Sequence, residues 1–471
     1  MEEEYLLKTE NLEKKYISKR EKNIFALAGL GQNMAYGMMS SFLLTFYTDI
    51  LFADAIWIIS VIMIIARVWD AVNDLLMGSI VDRTRTKWGK CRPYLLAAPV
   101  PIAIFTILIF IAPDLPLAGR VAYSLFTYIM WGMLYTIADV PFWALPSTMT
   151  ANAKERASLL SFARIVNGVG AALPIVIMEL FKDSSGYTRQ SYLYSAIVMA
   201  SVGCSLYLMA FFTCKERIKP PEAKERLIDN IKLIKQNKPL ILVIYLGVLC
   251  FGRYIVNMFL IYASRDLLIG APENISMLLL SFAIAAGSFL GMIVMPALFK
   301  KYNYKQIAIG AGSASLVFQV LLFAAVLISG YNYFVVLPFL LLSGIPFGVY
   351  NTLTFAIIGD SVDYMEWKTG KRTEGLGFAC QTFINKMGAA ISTGIIPLLL
   401  LLIGYVAPEN RTPTYQIPRF GLLVIFALVP GISMALSTIP MYSYSFVGDV
   451  KERALAELAL IRERENRIIA D

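Results

Sequence analysis

Apolar stretches long enough to cross a bilayer as helices recur from one end of this chain to the other. A hydrocarbon core needs about 20 helical residues, and more when the helix tilts. Twelve runs qualify, near 24–50, 55–81, 93–112, 118–147, 158–181, 191–213, 239–264, 274–299, 305–329, 332–359, 375–405 and 417–445. In lipid each must satisfy its own backbone, so each is read as a helix. Several are longer than one straight crossing requires, which predicts tilt or kinks. Pro141 and Pro146 in the fourth run and Pro346 in the tenth supply kink sites. The longest polar stretch, 214–238, falls after the sixth run. The reading is an all-α membrane protein of twelve transmembrane helices in two six-helix bundles. Residues 1–213 form the first bundle, 214–238 a middle loop, 239–446 the second bundle and 447–471 a tail. In the tail Leu455, Leu458, Ile461 and Ile468 recur at roughly helical spacing among charges, as in an amphipathic surface helix.

Basic residues set the orientation. With the amino terminus inside, the inward segments carry 32 of the 42 Lys and Arg, the outward loops 6 and the spans 4. That asymmetry predicts both termini in the cytoplasm. It also accounts for the net charge of +9 through contact with an anionic leaflet, without nucleic acid. The start, MEEEYLLKTENLEKKYISKREK, lacks the short apolar region of a signal peptide.

Composition closes off most enzymes. The chain is 58% hydrophobic and 16% charged, far from a soluble multidomain protein. It has no histidine, so His triads, His metal ligands and His relays are excluded. Its five cysteines are scattered and never in CxxC spacing. No P-loop and no nucleophile–base pair is present.

Charges inside the spans mark where function sits. Each costs about 2.5–3.5 kcal/mol or more at the bilayer centre. They are Arg67, Asp70, Asp74, Asp139, Arg164, Arg253 and Lys386, with Asp49, Asp360 and Asp363 at span ends. Such residues line a polar interior. In ARVWDAVNDLLMG, Asp70 and Asp74 are four apart and share a helix face with Asn73 beside them. Two carboxylates side by side suit a hard cation; an Arg67–Asp70 ion pair is the structural alternative. In YTIADVPFW, Thr136, Asp139 and Trp143 form one stripe. A carboxylate takes sugar hydroxyls and an indole covers the apolar face of the ring. Neutralisation of Arg164 by Asp139 is compatible with that role. Acidic and basic residues in the loops at 82–93, at Glu155 and Arg156, and at 359–375 read as latches or as ordinary inward decoration.

ARVWDAVND followed by DRTRTKWGKCRPY resembles the signature of the glycoside–pentoside–hexuronide:cation symporters, the melibiose-permease-like branch of the major facilitator superfamily. DSVDYMEWKTGKRTEG from Asp360, the YTD at Tyr47–Asp49, the PFW after Asp139 and the QTFINK of the eleventh run resemble theirs too. The resemblance implies a major facilitator fold working by alternating access, with a sugar carried alongside Na⁺, H⁺ or Li⁺ and no cofactor. It implies a cation site at Asp70, Asp74, Asn73 and Thr136. It implies sugar contacts at Asp139, Trp143 and Arg164, and at Thr382 and Lys386 in the eleventh run. The expected partners are a small sugar or glycoside, the coupling cation and membrane lipid, and the expected state is a monomer.

Two departures bear on the cargo. Where the family's best-known member has Lys-Asp in its first helix, this chain has Gln32-Asn33. Arg253 adds a cation in the seventh run. Both shift the interior towards positive and favour an anionic glycoside such as a hexuronide. The opposing reading has Arg253 paired structurally and Asn33 binding a neutral sugar. A lysolipid or other amphiphile carrier and a non-transporting sensor remain as further readings of the same fold.

Overall fold

The structure is a computed structural model that describes residues 16–150, 152–183, 186–217, 235–272, 275–369, 374–454 and 456–458. Some side chains within helices, including Arg67 and Asp74, lie outside the described set. So do the middle loop from 218 to 234 and, in the tail, Leu455, Ile461 and Ile468.

All twelve apolar runs form helical spans in chain order. Contacts divide the chain into two units: one holds residues up to 224 with Val406–Thr412, the other 225–405 with 413–471. Nine spans among the described residues are individually long and apolar enough to cross a membrane.

In the first unit, α1 runs Lys19–Phe46 and widens into a π-helical end, Tyr47–Leu51. Ser18 and Glu21 cap its start reciprocally, each side chain taking the other's backbone N–H. Then come α2 (Ile56–Arg83), α3 in two pieces (Arg92–Ala97 and Pro99–Ile109), α4 (Leu117–Met149), α5 (Ala153–Leu180) and α6 (Arg189–Thr213). Glycine lets α1 lie directly against its neighbours. A Cβ on Gly31 would strike the Gly203 carbonyl of α6, and one on Gly170 of α5 would strike the Leu30 carbonyl. Phe25, Phe142 and Tyr207 anchor the buried core between α1, α4 and α6.

The signature loop after α2 has a structural job. Gly89, at φ 112°, turns the chain so that the N–H groups of Lys90, Cys91 and Arg92 donate to the Glu216 carboxylate at 2.9, 2.7 and 2.9 Å. Glu155 does the same for the entry to α1: it accepts from the N–H groups of Tyr16 and Ile17 and from the Thr150 hydroxyl. These carboxylates bind within the first unit.

In the second unit, α7 is broken into Lys238–Leu249 and Gly252–Tyr262. It is followed by α8 (Ser276–Lys301), α9 (Tyr304–Ile328), α10 (Tyr333–Thr369), α11 (Glu374–Leu402) and α12, spanning Arg419–Tyr442. The freed groups at the α7 break find side-chain partners. The Ser433 hydroxyl donates to the Leu249 carbonyl and accepts the Gly252 N–H, and the Ser392 hydroxyl donates to the Phe251 carbonyl. The described tail, 449–454 and 456–458, is helical and docks on this unit. Ala454 and Leu458 are buried, Lys451 pairs with Asp360, and Trp367 donates to Glu457.

Candidate sugar and cation sites

Asp139 sits on α4, half-buried, seven residues from Gly132 and four from Trp143. Its Oδ1 accepts from Gln32 Nε2 of α1 at 2.7 Å and from Trp143 Nε1 at 3.0 Å. A carboxylate, an amide and an indole thus converge in the first unit, the three group types that hold hydroxyls and cover a sugar ring. Gln32 is buried and its Oε1 has no partner. The sequence reading chose Asn33 from this pair. In the fold Asn33 Nδ2 donates to the Gly29 carbonyl of its own helix, and the neighbouring amide reaches Asp139. Arg164 lies on α5 with an exposed side chain. One turn on, Asn167 is buried against Gly29 with both amide atoms unpartnered. Sequence reasoning missed it, because a lone Asn in an apolar helix carries no charge to flag it.

The cation candidates lie across the α2–α4 seam. The Asp70 carboxylate fills the place a Cβ on Gly132 would take. Thr136, one helical turn from Gly132, is buried on α4. Asn73 is buried on α2 and its Nδ2 has no partner among the described residues. The structure therefore brings Asp70 against the α4 turn leading to Thr136. Asp74, the second acid of this set, lies outside the described side chains.

In the second unit, Arg253 opens the second piece of α7 and is only 4% exposed. Its Nη1 donates to Asn351 of α10 at 2.6 Å, and its Nη2 to the Tyr254 hydroxyl at 3.0 Å and to Asn385 of α11 at 3.3 Å. Gln381 Nε2 also donates to Asn385. Along α11, Thr382 is exposed and Lys386 is half-buried. Sequence reasoning found the arginine by its charge. It missed Asn351, Asn385 and Gln381, which only the fold brings to it.

The architecture is that of a major facilitator. A crystallised D-xylose–proton symporter superposes with a TM-score of 0.63 at 16% identity, over 91% of this chain and 98% of that one. Residues 24–447 match the family of MFS/sugar transport proteins, and the chain belongs to that family, in its glycoside–pentoside–hexuronide:cation symporter branch. It is 28% identical over 458 residues to the glucuronide carrier protein homolog of Escherichia coli K12, covering 95% of this chain and 97% of that one. It is 25% identical over 460 residues to the isoprimeverose transporter of Lactiplantibacillus pentosus, covering 96% and 93%. The protein is a multi-pass membrane transporter of the sugar symporter class and not an enzyme.

Proposed function

We propose that this chain imports a glycoside, pentoside or hexuronide across the cell membrane together with Na⁺ or H⁺, by alternating access. One observation carries the reading: the Asp139 carboxylate, in the middle of a membrane-spanning helix, is presented by Gln32 and Trp143. In that setting a charge is costly unless it has work to do. In this reading Asp139, Trp143, Gln32 and Arg164 are the sugar contacts of the first unit, with Asn33 nearby on α1. Arg253, Thr382 and Lys386 are the candidate contacts of the second unit, considered by itself. Asp70, Asp74, Asn73 and Thr136 take the cation, whose hard oxygen preference suits carboxylate, amide and hydroxyl oxygens. A bound cation there lowers the cost of two neighbouring acids, which gives coupling a physical basis. The 32-to-6 distribution of basic residues supports both termini in the cytoplasm. We take the working unit to be a monomer in contact with lipid.

The names of the two relatives support a sugar or sugar conjugate as cargo. The amphiphile-carrier and sensor readings gain no support from them. The test is binding of a panel of neutral and uronic glycosides with and without Na⁺ at two pH values. The reading expects at least one sugar whose affinity rises with Na⁺ or with protons. It expects Asp74→Cys to abolish that rise while sugar binding persists. A panel with no cation-sensitive binder would contradict it.

A further inference from the structure

Arg253 is a buried cation whose side-chain hydrogen-bond partners among the described residues are all neutral. Asn351, Asn385 and Tyr254 accept its hydrogen bonds, and among the described residues no carboxylate lies within ion-pair distance. A guanidinium has five N–H donors, and three are engaged here. Its Nε is buried with no acceptor. The break in α7 adds to the imbalance. Arg253 stands in the first turn of an 11-residue helix, at the end where the backbone dipole is already positive. Positive side chain and positive helix end in one buried place leave an unmet demand for an anion.

A second unmet demand lies next to it. Gln381 donates to Asn385, which puts its amide beside the guanidinium, and its Oε1 is buried without a partner among the described residues. That atom can only accept. The guanidinium lies over the Tyr254 ring, 4.8 Å from its centroid, and that ring packs so close to α11 that a Cβ at Gly388 would strike it. Among the described residues, a cation lacking an anion and an acceptor lacking a donor thus occur within one layer of α7, α10 and α11. A sugar acid carries both complements on one ring: a carboxylate and hydroxyls.

We propose that Arg253, framed by Asn351 and Asn385 with Gln381 alongside, is an anion subsite that selects glycosides bearing a carboxylate over their neutral counterparts. The inference rests on the sugar-symporter reading and narrows its substrate class. The two are separable, because a neutral sugar tests the reading and the acid–neutral pair tests the subsite.

The experiment uses the full chain in lipid nanodiscs and pairs of sugars that differ only at C6. The probes are p-nitrophenyl β-D-glucuronide against the β-D-glucoside, and the galacturonide against the galactoside, each with Na⁺ present. The readout is the affinity ratio of acid to neutral sugar. The wild type should favour at least one acid by about tenfold or more. Arg253→Gln should bring that ratio to about one, and Arg253→Lys, which keeps the charge, should retain part of it. A purely structural arginine would weaken both sugars together and leave the ratio unmoved, which overturns the proposal. Equal affinities in the wild type overturn it without any variant, and neutral binding then leaves the sugar reading standing. Binding of none of the four sugars overturns the subsite and counts against the reading as well.

Discussion

Asp139 accepts from an amide and an indole through one oxygen, Oδ1. Asp139→Asn keeps the shape and removes the charge. It should cost about 1.5–3 kcal/mol, a ten- to hundredfold loss of sugar affinity, measured on a folded variant. Unchanged affinity would make Asp139 a counter-ion of structural value only. Asp70 offers a different test, because its carboxylate occupies space that only glycine leaves open at 132. Gly132→Ala should push the carboxylate aside and raise the half-maximal cation concentration by roughly tenfold, about 1.4 kcal/mol. An unshifted cation response would place the cation elsewhere. At this scale the sequence is informative about charge and poor about direction. Helical spacing puts Asp139 and Trp143 on one stripe from the sequence alone. It does not tell which of Gln32 and Asn33 turns towards α4, since adjacent residues differ by about 100° around the helix.

Among the elements, the spans were legible because length and apolarity suffice to define them. The breaks were not. The α7 interruption at Cys250–Phe251 has no proline, and is held by serine hydroxyls from α11 and α12 that lie more than a hundred residues away. The α8–α10 seam is built on GSFLG at 287–291 and GIPFG at 344–348, two small-xxx-small repeats that sequence reasoning did not single out. In the fold a Cβ on Gly348 would collide with the Ser288 carbonyl, and one on Gly344 with the Ile284 carbonyl. Gly348→Val should therefore destabilise by about 1–3 kcal/mol through overpacking, seen as a lower melting temperature in detergent. No change would mean the seam relaxes freely. Glu155 tests the caps. Burial raises its carboxyl, but the Thr150 hydroxyl and the N–H groups of Ile17 and Tyr16 outweigh that and hold it below its ordinary value. A depressed acid stabilises above its unfolded value, near about 4.3, and loses that as pH falls through the folded value. From about pH 5 to 8 this cap stays charged. Glu155→Gln should lower the melting temperature and leave the shape of the transport pH profile as it is. A shifted profile would give Glu155 a part in coupling.

For the whole molecule, the proposed coupling site and the proposed sugar site are separate sets of residues, so an interaction between them would be a linkage. If Na⁺ or H⁺ raises sugar affinity by some factor, the sugar must raise cation affinity by the same factor. The sequence made the transporter class legible through its repeated spans, its basic asymmetry and its two long signatures. It left the cargo open, because the amides beside Arg253 are uncharged and sit on two other helices, α10 and α11. The central claim, cation-driven sugar import, is tested most directly by uptake of a labelled glycoside into proteoliposomes under an imposed inward Na⁺ or proton gradient. The account predicts accumulation above the external concentration with one of the two gradients, collapse on dissipating that gradient, and loss of accumulation in Asp74→Cys. Accumulation that needs neither gradient, or that survives undiminished in Asp74→Cys, would contradict it.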